Sequence, residues 1–379
     1  MRFGRRRRRW WLGGGLLLLL LLVLAAVRFR ADLEAALVLA DMAAGTRDDL
    51  YKHLTEPPRR YALHYAMDGR GYAADLYHPA GKVRAGIVLV PGVQPEGKDE
   101  PRLVAMASTL ARAGFAVLVP ELPGMRRLRV HASDVQGIAD ACRWLAAHPG
   151  MVPGGRLGIG AVSYAVGPAL LAAMQPDIGR RVRFVLGIGG YYDLAALLTY
   201  VTTGDFRVDG QWRHMQPNRY GMWVFALSNM SLLDDAGDRR LFAGMARRKL
   251  AEADANVDDL AAGLGPEGRA LYALLTNSDR RRVPALIKAL PPAMRRLIAD
   301  LTVAGRPMGR LHARLILVHG RTDTIIPFTQ SEALARAVAP GQARLYLLDG
   351  FGHGNLHGLS LQDGLRLWRA VGTLLAERH

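Results

Sequence analysis

The chain predicts an α/β protein: a doubly wound, mainly parallel sheet with a helical cap insertion and an N-terminal hydrophobic helix. Three observations carry this expectation. From Arg60 onward, short apolar runs alternate with helically spaced segments, the pattern of parallel strands covered on both faces by crossover helices. Residues 191–310 interrupt that alternation with helix-like segments only. Trp10–Val27, finally, is an apolar run without a single charge.

Tyr61–Met67 and Tyr72–Tyr77 alternate in polarity and read as paired strands. Gly86–Val90 is continuously apolar, as a strand buried on both faces must be. Leu103–Ala113 has helical spacing, and Phe115–Pro120 reads as another buried strand. Val135–Ala147 (helix), Leu157–Val162 (strand), Ala165–Met174 (helix) and Phe184–Ile188 (strand) follow. Beyond the interruption come Leu315–Val318 (strand), Ser331–Ala337 (helix), Leu345–Leu348 (strand) and Leu361–Leu375 (helix). Such a sheet binds ligands at the carboxyl ends of its strands.

An interruption of 120 residues is too long for a loop and reads as a helical cap over the site. Its Trp212, Tyr220, Met222, Trp223, Phe225 and Met230 are expected to form the cap's own core, a substrate wall being the alternative. Asp238–Leu250 reads as a charged helix. The expected organisation is 1–30, signal anchor or signal peptide; 31–59, helical linker; 60–190, first part of the core; 191–310, cap; 311–379, second part of the core. Within the linker, Ala31–Ala44 and Thr46–Leu54 read as helices, the second capped by Thr46.

The 379 residues suffice for one large domain. Of the net charge of +17, eight charges are the arginines of residues 1–30, leaving +9 for the rest. No basic stripe interleaved with aromatics occurs in the body, so no nucleic-acid partner is expected. The single cysteine, Cys142, excludes an internal disulfide and a cysteine-based metal cluster. No metal or organic cofactor is implied.

As a helix, Trp10–Val27 would reach about 27 Å, close to the thickness of a hydrocarbon core. Six arginines precede the run and two follow it, which places the N-terminus in the cytoplasm. The expectation is a membrane partner through this helix, with the catalytic domain on the periplasmic or extracellular side. Secretion after cleavage of the leader is the alternative.

The chemistry concentrates in Arg156-Leu-Gly-Ile-Gly-Ala-Val-Ser163-Tyr-Ala-Val. An apolar strand ends in small-x-Ser-x-small and runs straight into a helical pattern. A serine there sits on a sharp strand-to-helix turn with its hydroxyl exposed at the sheet edge. Ala161 and Ala165 supply the small side chains that such a turn needs. Serine is a weak nucleophile and requires a base, itself held by a third group. His353, in a glycine-flanked loop after the last strand, and Asp323, after the preceding strand, complete the order Ser, Asp, His. His319 and His357 remain competing bases, and Asp193 a competing acid.

With these residues the chain resembles the α/β-hydrolase superfamily, and within it bacterial serine esterases and dienelactone-hydrolase-like proteins. The resemblance covers residues 60–379 apart from the insertion. It rests on Ser163 at the nucleophile elbow, Asp323 in Gly320-x-x-Asp-x-x-x-Pro327, and the glycine-flanked His353. The glycines usual around the elbow are Ala161 and Ala165 here. The resemblance implies an oxyanion hole made by the N–H groups of Tyr164 and Val93, the latter in Val90-Pro-Gly-Val93 after the third strand. It implies a serine hydrolase that forms an acyl-enzyme, with a small-molecule carboxylic ester as substrate. Peptidase, thioesterase or acyltransferase chemistry, or ligand binding without catalysis, are alternatives. Gly158-Ile-Gly-Ala-Val-Ser163 also mimics a dinucleotide fingerprint, but on the fifth strand and with no ribose-binding acid after the next.

Overall fold

The structure, a computed structural model, describes residues 28–252, 254–353 and 360–379. The chain opens with helices α1 (28–44) and α2 (Leu50–Leu54). Strands β1 (Arg59–Met67) and β2 (Arg70–His78) form an antiparallel hairpin. Then come β3 (Ala85–Val90), α3 (Pro101–Arg112), β4 (Phe115–Pro120), α4 (Pro123–Arg126) and α5 (Ser133–Ala146). They are followed by β5 (Leu157–Val162), α6 (Val166–Ala173) and β6 (Val182–Ile188).

A mostly helical insertion separates β6 from the remaining strands. It holds α7 (Leu194–Thr203), β7 (Asp205–Val208), β8 (Gln211–His214), α8 (Arg219–Ser228), α9 (Ala236–Ala251), α10 (Asp258–Ala262), α11 (Pro266–Leu275), α12 (Val283–Ala289) and α13 (Pro292–Leu301). The chain ends with β9 (Arg314–Gly320), α14 (Thr329–Ala337), β10 (Ala343–Leu348) and α15 (Leu361–Ala376).

Eight strands form one sheet in the order β1-β2-β4-β3-β5-β6-β9-β10. All pairings from β4 to β10 are parallel; only β1–β2 and β2–β4 are antiparallel. The doubly wound sheet expected from the alternation is therefore present. Its two-residue period sorts side chains between two cores. Ile87, Leu89, Phe115, Val117 and Val119 enter the core beneath α3 and α15. Val88, Val90 and Leu118 enter the opposite core beneath α5 and α6. Gly158 is required by packing: a Cβ there would lie 2.0 Å from the Phe184 ring. That crowding accounts for the glycine in the dinucleotide-like run without any phosphate.

The insertion differs from expectation in one element. Asp209 and Gly210, both at positive φ, make the two-residue turn of a β7–β8 hairpin, as Asp-Gly favours. The two ends of the insertion are joined, because Val303 and Ala304 N–H groups donate to Tyr192 O at 3.1 and 3.0 Å. Met222, Trp223 and Met230 pack in the insertion's own core with Phe242 and Met245. Trp212, Tyr220 and Phe225 do not: they are exposed. The guanidiniums of Arg207 and Arg280 lie instead over the Trp212 ring, at 4.7 and 4.6 Å from its centroid.

Near the N-terminus, Asp49 rather than Thr46 caps α2, accepting from Lys52 N–H at 2.9 Å. The membrane expectation is also corrected. Among the described residues no helix is long and apolar enough to cross a membrane. The run Trp10–Val27 that carried the expectation lies outside the described residues. The first described helix, α1, packs one apolar face on protein, while Phe29 and Leu33 are exposed. Ala35 and Val38 join the core beneath α15, Trp368 Nε1 donates to Asp32 O at 2.8 Å, and Arg378 pairs with Glu34 at 2.7 Å. A membrane partner, and a location defined by an anchor, are withdrawn.

Candidate active site

Ser163 stands at the carboxyl end of β5 with φ of +57°, a left-handed conformation that β-carbon sterics disfavour. The turn is enforced from both sides: β5 is hydrogen-bonded between β3 and β6, and α6 begins at once. Ala161 and Ala165, both fully buried, supply the small side chains on either side of the turn. Strain held in this way lifts the serine hydroxyl out of the sheet edge.

His353 Nε2 lies 2.8 Å from Ser163 Oγ, and its Nδ1 lies 2.7 Å from Asp323 Oδ2. A carboxylate only accepts, so Nδ1 carries the proton and donates to Asp323. Nε2 is then free to accept from the serine hydroxyl. The loop carrying His353 passes tightly over β9. A Cβ at Gly320 would fall 1.6 Å from Phe351 O, so only glycine permits this approach. Asp363 fixes the same loop from α15 through Asp349 and Gly350 N–H groups, at 2.9 and 3.0 Å.

Asp323 is almost wholly buried. Its Oδ1 accepts from the Ile325 and Ile326 N–H groups at 2.8 and 3.0 Å. Burial pushes its pKa up, but hydrogen bonds from His319 and His353 outweigh that and hold the carboxyl well below the usual range. The carboxyl of Asp323 is thus an anion throughout the neutral range.

His319 belongs to a second Ser–His–Asp chain. Its Nδ1 accepts from Ser331 Oγ at 2.7 Å, while its Nε2 donates to Ile326 O at 2.9 Å and lies 3.4 Å from Asp323 Oδ2. All three residues are buried, so Ser331 cannot meet a substrate. This chain braces the carboxylate of Asp323 from behind.

The loop after β3 abuts the elbow: a Cβ on Gly92 would meet Val162 O and Ser163 Cβ at 3.7 and 3.8 Å. Val93 N–H has no backbone acceptor among the described residues. Tyr164 N–H opens a short helical turn, where amides lack an intrahelical partner. The Tyr164 hydroxyl donates to Asp134 Oδ2 at 3.0 Å, and burial pushes the pKa of Asp134 up.

Ser163, His353 and Asp323 are therefore brought together, with the Val93 and Tyr164 loops alongside. Asp193 is engaged elsewhere, capping α7 through the Ala195 and Ala196 N–H groups. His357 lies outside the described residues. The supporting roles of Asp134 and Asp363 escape sequence reasoning, whereas His319, a rival base in the sequence, is found as a brace. Only Asp363 had a local signal, the Ser360-x-x-Asp363 capping box. A Ser–His–Asp relay ending at a strained elbow can activate a serine hydroxyl for attack on a carbonyl carbon.

No family model and no curated protein matches the chain. Solved structures do. Acylaminoacyl peptidase from Pyrococcus horikoshii is 13% identical with a TM-score of 0.50, over 85% of this chain and 41% of that one. A protein from Legionella pneumophila, provisionally assigned as a hydrolase, is 13% identical with a TM-score of 0.53, over 86% of this chain and 90% of that one. The chain spans about two fifths of the length of the acylaminoacyl peptidase. At these identities the similarity speaks to architecture, and with the sheet order and the elbow it gives one result: the chain has the α/β-hydrolase fold.

Proposed function

We propose that Ser163 is the nucleophile, His353 the general base, Asp323 the orienting acid, and the Tyr164 and Val93 N–H groups the oxyanion donors of a serine acyl hydrolase. Residues 191–310 are its cap. The supporting observation is the imidazole of His353, within 2.8 Å of the serine and 2.7 Å of the aspartate.

In the first step the Ser163 proton passes to His353 Nε2 as Oγ bonds to the substrate carbonyl carbon. The carbonyl oxygen becomes an anion facing the two amides. As that intermediate collapses, the bond to the leaving group breaks and His353 returns the proton to it. Water then attacks the acyl-enzyme, His353 takes its proton, and the carboxylic acid departs with Ser163 restored. Each oxyanion donor is expected to contribute a factor of about 10²–10³ in rate.

For the scissile bond, the amide of an acylated amine or short peptide is the first reading, supported by the acylaminoacyl peptidase among the similar structures. A carboxylic ester is the second, supported by the resemblance to serine esterases. Matched p-nitroanilides and p-nitrophenyl esters of one acyl group decide between them, with Ser163→Ala as control. Anilide turnover that vanishes in Ser163→Ala supports the amide reading. Ester turnover with anilide rates no higher than in Ser163→Ala leaves the ester reading.

A further inference from the structure

Helix α8 is tied to the body at both ends. Asn218, just before it, donates its N–H to Thr324 O at 2.9 Å, one residue beyond Asp323. Asn229, just after it, is buried; its Nδ2 donates to Leu128 O at 3.2 Å and its Oδ1 accepts from Val130 N–H at 3.1 Å. Thr324 follows β9, and Leu128 and Val130 follow β4. In the sheet order β4-β3-β5-β6-β9 those strands are four intervals apart, about 19 Å at ordinary strand spacing. The run from Asn218 to Asn229 covers about 17 Å as a helix. A helix tied at these two places runs along the carboxyl edge of the sheet, and β5, which leads into Ser163, is the middle strand of the five.

The direction of its faces follows from contacts. Trp223 and Ala226 belong to the core of the insertion. Asn229 reaches down to the body, and Phe225, four residues earlier, shares its side of the helix. Phe225 is nevertheless 43% exposed, although it lies on a side that turns toward protein. One turn nearer Asp323, the three atoms nearest to a Cβ on Gly221 all belong to the Asn218 side chain, at 3.6–3.9 Å. An apolar ring left this exposed, next to a residue bonded to the body, is available to a ligand.

We propose that α8 is a strap across the mouth of the site and that Phe225 is a specificity-determining residue. Its ring packs against the acyl group of the substrate, which is a linear apolar chain rather than an acetyl or charged group. This rests on the acyl-hydrolase reading above and adds the acyl class to it. Against such a ring each covered methylene improves kcat/KM about fourfold.

The test compares acetyl, butyryl, hexanoyl and octanoyl p-nitrophenyl esters in wild type, Phe225→Ala and Asn229→Leu, with thermal unfolding as a folding check. In wild type, kcat/KM is expected to climb with chain length. Phe225→Ala is expected to lower the octanoyl value at least about tenfold, mainly through KM, and the acetyl value less than about twofold. Asn229→Leu, which releases the strap, is expected to flatten the profile while fluorophosphonate labelling continues. A flat wild-type profile, or a Phe225→Ala profile parallel to wild type with acetyl turnover intact, overturns the proposal and leaves the hydrolase reading standing. Wild type that is folded, unlabelled and inactive on every ester overturns the reading and the proposal together.

Discussion

The Asp363 carboxylate accepts the Gly350 N–H at 3.0 Å and the Asp349 N–H at 2.9 Å, so the first turn of α15 sets the height of the loop from which His353 projects. Ser360 closes the same carboxylate into a capping box. Asp363→Ala removes the anchor and strands two loop amides. The expected stability loss is about 2–4 kcal/mol, read from urea midpoints. The expected kcat loss is about 10–100-fold with KM little changed, because the base drifts from its serine.

Acid sensitivity follows from two carboxylates. Burial opposes the ionisation of Asp363, yet N–H groups of Asp349, Gly350 and Ser360 hold its pKa down to about 2. Asp323 is likewise depressed, its burial outweighed by His319 and His353. Both bind protons more weakly when folded, so their stabilisation is complete above about pH 4 and is lost as pH falls toward their folded values. Urea midpoints are expected to be level from pH 7 to 5 and to fall steeply below 4. Asp363→Asn should show a shallower acid slope than wild type.

Asp134 carries the opposite sign. Burial raises its pKa, so the folded state binds its proton more tightly than the unfolded chain. Its contribution is greatest below about pH 4 and declines as pH rises through the raised value. Asp134→Asn keeps an acceptor for the Tyr164 hydroxyl and removes the buried charge. Midpoints equal to or above wild type at pH 8, with kcat within about threefold, are the expected outcome. Asp134→Val, which has no acceptor, should lose about 1–3 kcal/mol.

Two Ser–His–Asp chains meet at Asp323, and kinetics distinguish their roles. Ser331→Ala removes one buried hydrogen bond to His319, so a loss of about 0.5–1.5 kcal/mol in stability is expected. Its kcat should stay within a few-fold of wild type. Asp323→Asn removes the anion that fixes the His353 tautomer, and kcat should fall by about 10⁴.

What was legible in the sequence is what burial writes there. Strands covered on both faces, such as Phe115–Pro120 and Leu157–Val162, are read to the residue because every position is apolar or small. The β7–β8 hairpin was missed since its strands are four residues long with no buried residue, which erases the alternation despite Asp209-Gly210. Ser163, Asp323 and His353 stood out through glycine- and alanine-rich turns at strand ends. Asp363 and Asn229 did not, because each acts through backbone groups that only the folded chain brings near; His319 stood out as a rival base rather than as a brace. The exposed aromatics of the insertion were misplaced because composition says that a ring needs covering, not that Arg207 and Arg280 will cover Trp212.

The most direct measurement is intact-mass and peptide mapping of the protein after reaction with a fluorophosphonate. One adduct per chain, on the peptide containing Ser163 and absent from Ser163→Ala and from heat-unfolded protein, is the expected result. Folded protein that takes no adduct, or an adduct that maps to a different serine, would contradict Ser163 as the nucleophile.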